Sequence, residues 1–170
     1  MKFIPQSIPD ILLIEPITHN DERGYFVETY KQELLDEALG YKINFTQDNE
    51  SGSASKGVLR GLHFQSPPFT QSKLVRVIKG KVLDVAVDIR MDSKTFGRHV
   101  SVELCETNKK QLFIPRGFAH GYVVLSESAI ILYKVDAYYS AKHNEGIASV
   151  SYTHLRAHET PEHLVCRLLL

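Results

Sequence analysis

Cysteine is scarce, with two residues in a chain of 170. Cys105 and Cys166 form neither a Cys-x-x-Cys metal pair nor a disulfide framework, which fits a reducing compartment. An excess of one charge is missing too, since 20 Lys and Arg face 20 Asp and Glu. No overall field draws the chain to nucleic acid or to an acidic membrane surface, so neither is an expected partner, and any anionic ligand must be held by local cations. Long apolar runs are absent. None approaches the roughly 20 residues that span a bilayer, and the opening MKFIPQSIPDILLIEP is broken by Pro5, Pro9 and Asp10 where a signal peptide would be continuous. There is no internal repeat and no low-complexity linker. A single soluble, cytoplasmic domain is expected.

What is present is alternation. In KVLDVAVDI, Leu83, Val85, Val87 and Ile89 share one face and Asp84 and Asp88 the other, the pattern of a half-buried strand. YFVETY, FTQDN, VLRGLHF, KLVRVI, HVSVEL, QLFIP, GYVVL and AIILYKV add further strands, several bounded by Gly, Pro or Asn. Only KQELLDEALG reads as a helix, with Leu34, Leu35, Ala38 and Leu39 as its apolar stripe and Gly40 as its stop. Many short strands with one early helix predict an all-β sandwich or barrel.

Within IPRGFAHGYVVL, Pro115 and Gly117 form a turn between two strands and His120 follows on the second. Taken alone, His120 reads equally well as a buried histidine with a backbone partner. In context it matches the second motif of cupin barrels, whose small barrel directs such a residue into its mouth. A metal-binding cupin would carry His-x-His upstream, but GLHFQ supplies His63 and then Gln65 where a second histidine would stand. One further histidine falls short of the three protein ligands a metal site needs. His63 and His120 are therefore read as acid-base or hydrogen-bonding groups, with no metal and no cofactor.

Taken in order, DERGYFVETY, QDN (47–49), VLRGLHFQ, KLVRVIKG, DVAVDIR, FGRHVSVEL, KKQLFIPRGFAHGYVVLSE and LYKVDAYYS resemble the dTDP-4-dehydrorhamnose 3,5-epimerases. The resemblance spans residues 1–148. It implies a cupin-type jelly roll, a homodimer, and a nucleotide-sugar substrate of dTDP-rhamnose and O-antigen biosynthesis. The implied reaction inverts C3 and C5 beside a C4 ketone through an enolate. That chemistry calls for a base, a cation at the enolate oxygen and an acid across the ring.

By the resemblance His63 is the base, Lys73 the cation beside the C4 oxygen and Tyr133 the acid. Arg23 and Arg60 match positions that hold the diphosphate, a task suited to the guanidinium fork. Phe26, Glu28, Gln47 and Asn49 match nucleotide-side contacts, Tyr139 a residue that stacks on thymine, and His120 and Glu145 substrate contacts. Arg60 and His63 are three apart, so a regular strand would send them to opposite faces, unless Gly61 between them makes a bulge.

The resemblance stops near Ser149. Family members continue with an Asp that orients the catalytic histidine, and SVSYTHLRAHETPEHLVCRLLL carries none. His154, His158 and His163 lie in this stretch, the first two at a helical ligand spacing, but Pro161 makes a metal site an unexpected reading. Residues 149–170 form an atypical tail that resembles translated sequencing-adapter read-through, and foreign sequence is the expectation. Two alternatives follow: a related 3-epimerase or 3,4-ketoisomerase, and a nucleotide-sugar binding barrel weakened by the missing Asp.

Overall fold

β-Branched and aromatic residues at every second position pair best when both faces of a sheet find cover, and this chain builds two sheets to supply it. The computed structural model describes residues 1–147. In chain order the strands are β1 (Lys2–Pro5), β2 (Leu12–Glu15), β3 (Thr18–Asp21) and β4 (Gly24–Val27). Helix α1 (Gln32–Leu39) follows, then β5 (Gln47–Ser53), β6 (Leu59–Gln65), β7 (Lys73–Lys79), β8 (Lys81–Asp88) and β9 (His99–Cys105). The last are β10 (Gln111–Ile114), β11 (Phe118–Val124), β12 (Ala129–Val135) and β13 (Asn144–Gly146).

One sheet has the order β1-β2-β10-β7-β12-β5 and the other β13-β6-β11-β8-β9, while β3 and β4 form a separate hairpin. The expected all-β, cupin-type sandwich with one short early helix is the fold observed. Between the sheets lies a core that includes Val75, Val77, Leu112 and Ile131 from the first and Val82, Ala86, Val100 and Phe118 from the second. Outside the six-stranded sheet, α1 lays Leu35 onto Leu12, Ile14, Leu74 and Phe113. Gly40 ends that helix at φ 75°, the left-handed conformation that glycine adopts without penalty.

Three expectations need correction. Of the proposed helical stripe only Leu35 is fully buried and Ala38 is exposed, because a helix of eight residues sets a single side chain fully into the sheet. Strands β1, β2, β3 and β13 carry too little alternation to stand out. The third correction concerns β8, which is buried on both faces. Its Val85 and Val87 join Leu62 and Ala119 in a cluster separate from the inter-sheet core. The alternate residues, Val82 and Ala86 among them, point into that core. Asp84 and Asp88 lie on this inner face at 0 % exposure, so the polar face of the strand turns inward.

Asp88 closes the β8–β9 turn. Burial alone would raise its carboxyl, but Arg90, Thr95 and Ser93 all donate to it and hold it well below the usual carboxylate range. At the end of β6 the Gln65 amide is also engaged. Its Nε2 donates to the Phe69 and Tyr138 carbonyls at 2.7 and 3.2 Å. Its oxygen accepts from the Ser140 backbone N–H at 2.6 Å. Among the described residues no helix is long and apolar enough to cross a membrane. The tail assigned to 149–170, with Cys166 and its three histidines, lies outside the described residues.

Candidate active site

Strands β6 and β11 are antiparallel, with His63 opposite His120 and Arg60 opposite Tyr122. Two residues of β6, Gly61 and Leu62, therefore face Gly121 alone, which is a β-bulge. The bulge changes the parity of the strand and brings Arg60 and His63 to one cavity despite their odd separation. Gly61 makes it possible. Its φ is +112°, and a Cβ there would stand 2.5 Å from Gly121 Cα and 2.6 Å from the His120 carbonyl oxygen.

The cavity has a volume of about 440 Å³ and opens at one end of the sandwich. His63 and Arg60 come from β6, His120 and Tyr122 from β11, Lys73 from β7, Tyr133 from β12 and Tyr139 from the segment after β12. Lys73 pairs with Val135, and Tyr133 with Val75, so the two side chains lie diagonally on the inner face of neighbouring strands. Six residues expected from the sequence, Arg60, His63, Lys73, His120, Tyr133 and Tyr139, thus line one space.

The surroundings tune each group. Burial, then the positive charge of Lys73, then His120 lower the His63 imidazolium below its ordinary value, so the ring is a neutral proton acceptor at neutral pH. Lys73 lies deep in the barrel, where burial pushes it down to about 8 against the opposing pull of Asp84. Burial and the neighbouring Tyr122 raise the Tyr133 phenol, with Arg60 acting the other way, so it stays protonated. Arg60 Nη2 donates to the Gly52 carbonyl at 3.0 Å, which holds its fork at the rim. Among the described residues no carboxylate reaches His63, and no cluster of three His, Cys, Asp or Glu side chains could hold a metal ion.

The other expected contacts fall elsewhere. Gln47 donates to Asn49 Oδ1 at 2.7 Å and accepts from the Tyr139 backbone N–H at 3.2 Å, so it braces the segment bearing Tyr139. Asn49 lines a separate depression of about 150 Å³ with Tyr30, Arg76 and Lys134. Glu145 is exposed on β13, and its neighbour Asn144 lines the cavity in its place. Arg23, Phe26 and Glu28 do not line the cavity of their own chain. Arg23 binds Asp21 at 2.6 Å, and Phe26 is 70 % exposed on the β3–β4 hairpin.

Sequence reasoning missed Ser51, Tyr122 and Asn144 on the cavity wall. It also missed Asp84 behind it. The fully buried Asp84 carboxylate accepts from His120 Nε2, which is 3.0 Å from both oxygens. The available signal was an acidic residue in the middle of an otherwise apolar strand, and it was read as solvent-facing.

The family model for dTDP-4-dehydrorhamnose 3,5-epimerase matches residues 5–154. The dTDP-4-dehydrorhamnose 3,5-epimerase of Shigella flexneri is 52% identical over 147 residues, covering 86% of this chain and 81% of that protein. The crystal structure of the Legionella pneumophila dTDP-6-deoxy-D-glucose-3,5-epimerase in complex with dTDP-4-keto-L-rhamnose is 47% identical, with a TM-score of 0.84, and covers 88% of this chain and 78% of that one. A Bacillus anthracis dTDP-4-dehydrorhamnose 3,5-epimerase with TDP and PPi bound is 44% identical, with a TM-score of 0.84 and coverage of 89% and 86%.

Proposed function

Since the chain belongs to the dTDP-4-dehydrorhamnose 3,5-epimerase family, we propose that its cavity converts dTDP-4-dehydro-6-deoxy-D-glucose to dTDP-4-dehydro-L-rhamnose. The observation that carries this reading is the meeting of a neutral histidine, a buried ammonium and a protonated phenol on the walls of one cavity. The His63 ring takes the proton from C5 or C3. The C–H electron pair then forms the enolate, whose oxygen charge Lys73 stabilises. Tyr133 delivers its phenolic proton to the opposite face of the same carbon, and the enolate collapses back to the ketone. Imidazolium and phenolate return to their starting states by proton exchange with solvent, and the second carbon follows the same course.

Arg60 at the rim holds the diphosphate and Tyr139 stacks on thymine, with Gln47 bracing it. The active form is a homodimer. Support comes from the β3–β4 hairpin, whose Arg23 and Phe26 are exposed and away from the cavity of their own chain, so a second copy can receive them. Glu28 follows on the same segment. Free, buried Cys105 suits a reducing cytoplasm.

The test is proton NMR of the purified protein with the substrate in deuterium oxide, with His63→Ala as control. Loss of both the C3 and C5 signals, dependent on His63, is expected. Loss at one carbon only would replace the reading by a 3-epimerase or 3,4-ketoisomerase. Binding of dTDP without exchange at either carbon would make the chain a binding barrel.

A further inference from the structure

A carboxyl group removed from water needs a hydrogen-bonding or ionic partner. Asp84 is such a group. It sits on the inner face of β8 at 0 % exposure, behind the cavity wall, and it is the one carboxylate among the described residues whose charge acts on Lys73. Its other partner is His120, whose Nε2 lies 3.0 Å from both of its oxygens. The remaining titratable groups at the cavity are Arg60 and His63 on β6, Tyr122 on β11, Tyr133 on β12 and Tyr139 in the segment after it. All of these are basic or phenolic.

Two consequences follow from one carboxylate. The Nε2–H of His120 is committed to Asp84, which leaves Nδ1 as the ring nitrogen that can meet a sugar hydroxyl. Lys73, which burial would otherwise discharge, keeps a counter-charge beside it. We propose that Asp84 is the positioning residue of this site, one buried carboxylate that fixes the tautomer of His120 and serves as counter-charge to Lys73. The inference rests on the epimerase reading for its catalytic meaning, but both charge effects belong to the free protein.

Asp84→Asn separates the two roles, because the amide oxygen still accepts from His120 while the charge is gone. In the deuterium-exchange assay its alkaline limb should fall by about one pH unit or more relative to wild type, with activity partly recovered on lowering the pH. A purely structural role would depress the rate at every pH and leave the limb in place. The Lys73 ε-carbon, followed by carbon NMR in substrate-free protein, should titrate lower by the same amount. If the wild type shows no exchange while this titration still moves, the epimerase reading fails and the role of Asp84 stands. If neither the limb nor the titration moves, the proposal is overturned. A third readout needs no variant: long-range proton-nitrogen spectra of the wild type should show His120 carrying its proton on Nε2, and a ring lacking that proton would also overturn it.

Discussion

Gly61→Ala tests the bulge on which the cavity depends. The new methyl group would stand 2.5 Å from Gly121 Cα and 2.6 Å from the His120 carbonyl oxygen, both backbone atoms that cannot swing aside. Its backbone would also hold an alanine at φ +112°. That conformation costs about 1–3 kcal/mol for a residue with a Cβ, and forcing extra volume into a packed site about 1–3 kcal/mol more. The reduced freedom of the unfolded chain offsets about 0.4–1 kcal/mol of this, leaving a net loss of roughly 1–5.6 kcal/mol. For a protein of this size each kcal/mol lowers the melting temperature by about 2–4 °C, so a fall of roughly 2–22 °C is expected in near-ultraviolet circular dichroism. Gly52→Ala is the control, because no atom lies within 4 Å of a Cβ built there. Strand β6 can relieve the clash by losing its bulge, which would turn His63 away from Arg60. Exchange activity should then fall further than the loss of folded protein accounts for. A Gly61→Ala protein that melts within about a degree of Gly52→Ala and exchanges at the normal rate would refute this account of the site.

Other outcomes follow from the same geometry. The rate should be bell-shaped in pH: it rises as His63 loses its proton, at a pH below the ordinary imidazole value of about 6.5, and falls near pH 8 as Lys73 loses its own. A pH profile of kcat/KM reads both limbs. Lys73→Met should abolish the alkaline limb and lower the plateau about 10²–10³-fold, measured against unchanged dTDP affinity. Tyr133→Phe should still admit solvent deuterium, because His63 can return the proton to the face it came from, but should form inverted product about 10²–10⁴-fold more slowly. Leu35→Ala, beneath the helix and at 2 % exposure, should cost about 2–5 kcal/mol in urea unfolding with no change in the pH profile.

Much of this was legible in the sequence. Strand β12 falls on the alternating stretch AIILYKV residue for residue, and Gly40 marks the end of α1. Six cavity residues could be named because the stretches that carry them match, in order, the motifs of the family the chain resembles. What could not be read was the sense of a face. On β8 Val85 and Val87 belong to a separate cluster while Asp84 and Asp88 point inward beside Val82 and Ala86, because the aspartates are satisfied by protein partners and not by water. Alternation records that two faces differ; it does not record which one faces the centre. Nor could it show that Arg23, Phe26 and Glu28 stand away from the cavity of their own chain, since local pattern locates a residue along its strand and not across the fold.

The three hydrogen bonds of Gln65 bear on how this barrel can change. A histidine there would recreate the His-x-His spacing from which metal-binding barrels draw their ligands, and the substitution looks like a single step. Yet the amide ties the Phe69 turn to the segment carrying Tyr138 and Ser140, next to Tyr139 at the cavity rim. Each bond contributes about 1 kcal/mol. An imidazole would forfeit all three before it gained a ligand. The two kinds of barrel are thus separated by a valley in stability, and crossing it requires the rim loops to be re-anchored before any metal chemistry can be selected.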